Sequence, residues 1–131
     1  MLDRRRSELE LVKAAYGELE LAPDLSWVII RCWALPSGWN KMDTPVLVNI
    51  PPGYPVTPPD NFCTEPALRL AGGAMPGNTM GVQEYAGRQW LQFSFHVADS
   101  QNDWRPDADL LRGHNLLTFL TGIGQRLEEV S

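Results

Sequence analysis

"PPGYPVTPPDNF", residues 51–62, contains five prolines in twelve residues. Each proline removes a backbone hydrogen-bond donor and restricts the residue before it, so this stretch can form neither a helix nor a central strand. It predicts an ordered, extended surface loop, with structured segments expected on both sides.

The segments before this loop have the patterns of a helix followed by strands. Leu9, Val12 and Tyr16 are spaced by three and four residues, which predicts an amphipathic helix from residue 2 to about residue 16. "LSWVIIRCWAL" (residues 25–35) and residues 46–50 are dense in β-branched and aromatic residues, with the turn-rich "PSGWNKMDTP" between them. They predict strands of an antiparallel meander.

The segments after the loop predict further strands and a last helix. A strand is expected from Cys63 to Leu70, and "VQEYAGRQW" predicts a short hairpin around Gly87. From Asp107 onward, four apolar residues recur at helical spacing and predict a C-terminal helix: Leu116, Leu120, Ile123 and Leu127. The predicted class is α+β, with both helices packed on one antiparallel sheet in a single domain over residues 1–131.

Composition excludes several function classes. The hydrophobic content of 44% with 21% charged residues is typical of a globular chain, and no apolar run approaches the ~20 residues of a membrane helix. A net charge of -5 provides no general attraction to nucleic acid. The N-terminal arginines are followed by acidic residues rather than an apolar stretch, so a secretory signal is not expected and a cytoplasmic location is predicted.

Cysteine and histidine are too sparse for a metal centre. Two cysteines and two histidines give neither a disulfide framework nor a zinc cluster, so no metal, no structural disulfide and no cofactor are predicted. Cys63 and Cys32 are expected to pack inside the sheet. Trp27 and Trp33 are an even number of residues apart and are expected on one sheet face if their strand is regular. His114 is expected, partly buried, within the last helix.

The proline loop, taken with its neighbours, resembles the ubiquitin-conjugating enzyme superfamily. "GYPVTPP" is similar to the family's YPxxPP loop, and it likewise follows an N-terminal helix and a meander. Trp104-x-Pro106 ahead of a helix is similar to a second family motif. The resemblance covers roughly residues 1–127 and implies a ubiquitin-conjugating-enzyme-like fold.

The resemblance also implies partners and binding residues. It implies a ubiquitin-like protein and an adenylating activating enzyme as partners, with no role for nucleic acid or membrane. Tyr54, Pro55 and Trp104 correspond to the two motifs and are candidate binding residues. The family's His-Pro-Asn motif is echoed by "MPGN", which makes Asn78 a candidate for stabilising an oxyanion.

The sequence departs from the family at the expected nucleophile. The family's catalytic cysteine precedes the Trp-x-Pro motif by a seven-residue gap, and in this chain the gap "VADSQND" leads back to His96. The chain therefore resembles divergent bacterial members, of a prokaryotic family E type, that lack the usual cysteine and carry a Ser-x-His pair.

The stretch "LQFSFHV", residues 91–97, offers a different nucleophile. In an extended strand, Ser94 and His96 share a face, so the imidazole can take the serine proton, and Asp99 or Asp103 can orient the ring. A strand separates their backbones by roughly 6–7 Å, so direct contact requires a bend or favourable rotamers. His96 acting alone, or a polar face that only meets water, are the alternatives.

Three functions follow from these patterns. The chain is predicted to accept or position the activated C-terminus of a ubiquitin-like protein, by a serine oxyester if Ser94 is the nucleophile. The second is a non-catalytic binding module of the same fold, like the conjugating-enzyme variants and RWD domains. The third is a scaffold domain whose proline loop is structural. The role of residues 71–88, between the loop and the serine, is left open.

Overall fold

The computed structural model describes residues 2–97 and 104–131, which form two helices and six strands. The elements, in chain order, are α1 (Leu2–Tyr16), β1 (Leu19–Leu21), β2 (Trp27–Ala34), β3 (Asp43–Asn49), β4 (Phe62–Thr64), β5 (Thr79–Tyr85), β6 (Arg88–Phe93) and α2 (Leu116–Glu128). All strands belong to one antiparallel sheet of order β1-β2-β3-β4-β6-β5. The predicted α+β class, with both helices packed on one antiparallel sheet, is confirmed.

The main apolar core joins both helices to one face of the sheet. Leu9 and Val12 of α1 are buried with the apolar side of α2. Alternate residues of the strands, such as Val28, Val46 and Leu91, complete this cluster. We call this side of the sheet the helix face.

A second, smaller core lies on the opposite side, which we call the open face. Ile29, Leu47, Cys63 and Trp90 are buried there. The Arg88 side chain stacks over Trp90 and approaches Glu20 of β1 at 3.8 Å, although three strands separate β6 from β1 in the sheet. Because neighbouring strands are about 4.8 Å apart, this contact requires the sheet to curl around the second core.

The proline loop forms neither a helix nor a strand, as predicted, but it is not extended. The Tyr54 amide donates to the Pro51 carbonyl and the Thr57 amide to the Gly53 carbonyl, both at 3.0 Å, so the chain turns there. The loop is anchored because Tyr54 is completely buried.

A bulge in β2 makes the prediction for the two tryptophans wrong. The pairing shifts between Ile30 and Trp33, so two residues of β2 lie opposite Pro45, which has no amide to donate. The shift moves Trp33 to the helix face, while Trp27 packs on the open face. Cys32 lies in the bulge and is exposed, so the prediction that it packs inside the sheet is also wrong.

Element bounds differ from the predictions in three other places. β4 covers only Phe62–Thr64 of the strand expected to reach Leu70, and β1 was not predicted. The last helix begins after Asn115, whose side chain accepts a hydrogen bond from the Thr118 amide, so Asp107 precedes the helix. His114 also lies outside it. The hairpin around Gly87 is confirmed.

Candidate functional site

Ser94 and His96 are in direct contact just beyond the end of β6. The Ser94 Oγ atom lies 3.1 Å from the His96 Nε2 atom. The strand ends at Phe93, so both side chains lie in an irregular segment rather than at regular strand spacing. The two side chains therefore meet in this irregular segment, whereas a regular strand would leave roughly 6–7 Å between the two backbones.

A carboxylate from another part of the chain completes the group. Asp60 Oδ1 is hydrogen-bonded to His96 Nδ1. In the neutral imidazole tautomer whose Nδ1–H donates to the Asp60 carboxylate, Nε2 accepts the Ser94 hydroxyl proton. We call Ser94, His96 and Asp60 the triad.

Sequence reasoning did not find Asp60. Asp99 and Asp103, the carboxylates predicted for this role, lie outside the described residues. The signal lies in the pairing of β4 with β6, where Phe62 is opposite Phe93. Continuing that antiparallel register past both residues brings Asp60, at the end of the proline loop, beside the segment that contains His96.

Asn61 and Phe95 hold the two chain segments of the triad together. The Asn61 amide donates to the Phe95 carbonyl at 2.7 Å, and the Asn61 side chain accepts from the Phe95 amide at 3.0 Å. The Phe95 ring packs edge-on against Phe62 and Phe119, with centroids 5.6 and 5.5 Å away. Phe95 thus anchors the segment on the helix face, while the next residue, His96, meets Asp60 outside the core.

Asn78 lies next to Ser94 on the other side. The Ser94 amide donates to the Asn78 carbonyl at 2.7 Å, which extends the β5–β6 pairing by one step. Asn78 itself is exposed and has a φ of +57°, a conformation that asparagine tolerates better than most residues. The structure therefore brings the residue predicted to stabilise an oxyanion next to the predicted nucleophile.

The other predicted binding residues lie together in a structural cluster. The Trp104 indole donates to the Pro55 carbonyl at 2.7 Å, and the Trp104 and Tyr54 rings are 6.2 Å apart. Tyr54 is buried, and its hydroxyl donates to Glu8. Trp104 also stacks on His114. These contacts fix the proline loop, whose last residues lead directly into Asp60.

The triad is open to solvent. The side chains of His96 and Asp60 are 49% and 63% exposed, and Ser94 is half-buried. A histidine in this arrangement can remove the serine proton as the oxygen attacks an acyl carbon, and the carboxylate stabilises the resulting imidazolium. The exposure admits a bulky acyl donor such as the end of another protein.

The two thiols lie in different surroundings. Cys63 is buried in the second core, where its Sγ atom is 3.9 Å from Gln92 Oε1. Burial raises the pKa of the Cys63 thiol to about 12, so the reactive thiolate is scarce near neutral pH. Cys32 is exposed in the β2 bulge, on a strand separated from β6 by β3 and β4.

The part of the chain that the structure describes contains neither a metal-binding cluster nor a membrane-spanning helix. Within residues 2–97 and 104–131, no three His, Cys, Asp or Glu side chains are grouped so that they could hold a metal ion. Neither helix of this part of the chain is long and apolar enough to cross a membrane.

Comparison with known proteins identifies a family over nearly the whole chain. Residues 4–130 match the model of a family described as prokaryotic E2 family E. The helix–sheet–helix order described above agrees with an E2-like fold. Neither the curated proteins nor the solved structures contain a match to the chain.

Proposed function

Because the chain belongs to prokaryotic E2 family E, we propose that it accepts the activated carboxy terminus of a ubiquitin-like protein on Ser94, as an oxyester. The family supports a role related to ubiquitin-like conjugation in general. The observation that supports the serine is the contact of Ser94 Oγ with His96 Nε2 at 3.1 Å, with Asp60 on the opposite ring nitrogen.

The triad provides what the transfer requires. His96 takes the proton from Ser94 as Oγ attacks the carbonyl carbon of the activated modifier, and Asp60 stabilises the imidazolium. We assign to the Asn78 side-chain amide the role of donor to the oxyanion that forms beside Ser94, because Asn78 pairs with Ser94 through its backbone. The leaving group then takes the proton from His96, and the modifier is left on Ser94 as an ester that an acceptor amine can attack.

Neither cysteine is next to the triad, since Cys32 lies on β2, which β3 and β4 separate from β6. Cys63 lies under Trp90 and Gln92, and its raised pKa opposes thiolate formation. We therefore propose that this chain works without the cysteine nucleophile that its superfamily uses. The partners that this proposal requires are a ubiquitin-like protein and an adenylating activating enzyme in the bacterial cytoplasm, and it requires no metal or cofactor.

An adduct assay tests the proposal. The protein is mixed with the activating enzyme and the ubiquitin-like protein of the same bacterium and ATP, and the products are separated on a non-reducing gel. We expect an adduct that survives dithiothreitol, is cleaved by hydroxylamine, and is absent in Ser94→Ala. Ser37→Ala, at another exposed serine, should form the adduct normally.

The variant Ser94→Cys makes the assay sharper. If Ser94 carries the modifier, the cysteine introduced at position 94 should form a thioester that dithiothreitol cleaves. The sensitivity of the adduct to dithiothreitol would then depend on the residue at position 94. A dithiothreitol-labile adduct in the wild type that is lost in Cys63→Ala would overturn the proposal. Binding of the modifier without any adduct would favour the non-catalytic module, and neither binding nor adduct would favour a scaffold.

A further inference from the structure

The base that activates Ser94 stays next to the ester that the transfer creates. His96 Nε2 is 3.1 Å from Ser94 Oγ, and about half of the imidazole side chain is exposed to solvent. Once Ser94 is acylated, Nε2 has lost its proton donor and is free to bind a water molecule. The same group is then placed to activate that water for attack on the acyl carbon.

We propose that the triad is also a hydrolytic centre, which makes the protein a serine esterase for small or flexible activated acyl groups. The open position of the triad admits such groups, because the His96 and Asp60 side chains are exposed. Hydrolysis of a modifier ester on Ser94 rests on the proposed function. Hydrolysis of small esters does not depend on it.

The reaction has two balanced steps. In the first, the Ser94 oxygen bonds to the acyl carbon, the bond to the leaving group breaks, and the proton passes from Ser94 through His96 to the leaving alcohol or thiol. In the second, a water oxygen bonds to the acyl carbon while the bond to Ser94 breaks. His96 takes the proton from the water and returns a proton to Ser94, so that an ester and water give an acid and an alcohol.

Two neighbours support both steps. Asp60 on Nδ1 stabilises the imidazolium that forms twice in each cycle. Asn78 accepts a hydrogen bond from the Ser94 amide through its backbone carbonyl, which makes its side-chain amide our candidate donor to the carbonyl oxygen of a bound acyl group. Each has a test of its own in an isosteric variant, Asp60→Asn or Asn78→Asp.

The experiment uses the full chain alone with p-nitrophenyl acetate. We expect catalytic release of p-nitrophenolate with turnover, and an acetyl group on Ser94 detected by mass spectrometry after acid quenching. Ser94→Ala and His96→Gln should each lower the rate by about 100-fold, because each variant removes the general-base activation of the serine. Asp60→Asn should lower it as well, and Ser37→Ala should leave it unchanged.

The Ser94→Ala variant separates the proposal from simple imidazole catalysis. It keeps His96, so a rate equal to that of the wild type would mean that an exposed imidazole attacks the ester directly, and the proposal would be overturned. Labelling of the wild type by a fluorophosphonate gives a measurement that needs no variant. Labelling at Ser94 supports the proposal, and labelling at no serine counts against it.

Failure of this inference differs from failure of the proposed function. A stable modifier adduct on Ser94 without ester turnover would overturn the hydrolytic activity and leave the proposed function in place. Ester turnover on Ser94 without any modifier adduct, even in reactions quenched with acid before hydrolysis, would do the reverse. If both hold, the isolated modifier adduct should decay to free modifier in water, without an acceptor amine.

Discussion

Two potential nucleophiles, the Cys63 thiol and the Ser94 hydroxyl, lie on or next to the paired strands β4 and β6. Cys63 pairs with Gln92 and lies inside the second core, where no base contacts its sulfur among the described residues. Ser94 comes two residues after Gln92, beyond the strand, where His96 contacts it. The Ser94 hydroxyl is intrinsically a weaker nucleophile than a thiol. The burial of Cys63 and the base next to Ser94 nevertheless favour Ser94.

Thiol reactivity is the first prediction at this scale. With Ellman's reagent at pH 8, we expect one fast thiol per chain, Cys32, because it is exposed while burial raises the pKa of Cys63 to about 12. Both thiols should react in urea. Cys32→Ser should show no fast thiol, and a fast thiol that remains in this variant would show that Cys63 is accessible.

The residues of the triad differ in how well they can be predicted from the sequence alone. Ser94 and His96 are two residues apart, so strand alternation predicts that they share a side, although the segment in which they meet is irregular. Asp60 is 36 residues from His96, and its position depends on the pairing of two strands across the proline loop. Sequence reasoning favours a carboxylate close to His96 along the chain. The pairing of β4 with β6 instead brings in a carboxylate that is distant in sequence.

At the scale of elements, the start of α2 depends on one side chain. Asn115 is buried, its side-chain oxygen accepts from the Thr118 amide at 3.1 Å, and its amide group donates to the Leu110 carbonyl. The Thr118 hydroxyl in turn accepts from the Asn115 amide, which completes a capping box. These bonds end the turns after Asp107 and begin the helix.

Loss of this cap is the second prediction. Asn115→Ala should lower the free energy of unfolding by about 1–2 kcal/mol in urea denaturation, because an N-cap and a buried hydrogen bond are removed together. Asn115→Ser keeps a capping oxygen and should lose less. Gln125→Ala, at an exposed position of the same helix, is the control and should change little. Equal losses for Asn115→Ala and Gln125→Ala would contradict this role.

Elements with a strong local period could be predicted, and those set by tertiary contacts could not. α1 and the Gly87 hairpin follow from apolar spacing and turn residues. The β2 bulge depends on Pro45 in the neighbouring strand, which local alternation between Trp27 and Trp33 cannot show. The short β1 has three residues and becomes a strand only through pairing with β2.

At the scale of the whole molecule, one buried carboxylate joins three distant parts of the chain. Glu8 of α1 is 1% exposed. It accepts from the Arg4 side chain at 2.7 Å, from the Leu116 amide at the start of α2 at 2.7 Å, and from the Tyr54 hydroxyl of the proline loop. Through Tyr54 this network fixes the loop that ends at Asp60, so the packing of both helices bears on the triad.

Removing the Glu8 charge is the third prediction. Glu8→Gln should lower the free energy of unfolding by about 3 kcal/mol, because it leaves the partly buried Arg4 guanidinium without its counter-charge. Glu10→Gln, on the exposed side of α1, should change it little. Urea denaturation measures both. If the two variants unfold at the same urea concentration, the network does not stabilise the fold.

The same network predicts how stability depends on alkaline pH. Burial, and then the hydrogen bond to Glu8, raise the pKa of Tyr54 above its ordinary value near 10. Above pH 10 the unfolded chain therefore loses the tyrosine proton while the folded chain keeps it, so stability is full below that pH and falls as pH rises. Tyr54→Phe has no such proton, so its free energy of unfolding should fall less between pH 9 and pH 11 than that of the wild type, although it starts about 1 kcal/mol lower. Parallel curves for the two proteins over this range would show that the Tyr54 hydroxyl is not held by Glu8, and the proposed link from α1 through the proline loop to Asp60 would lose its central contact.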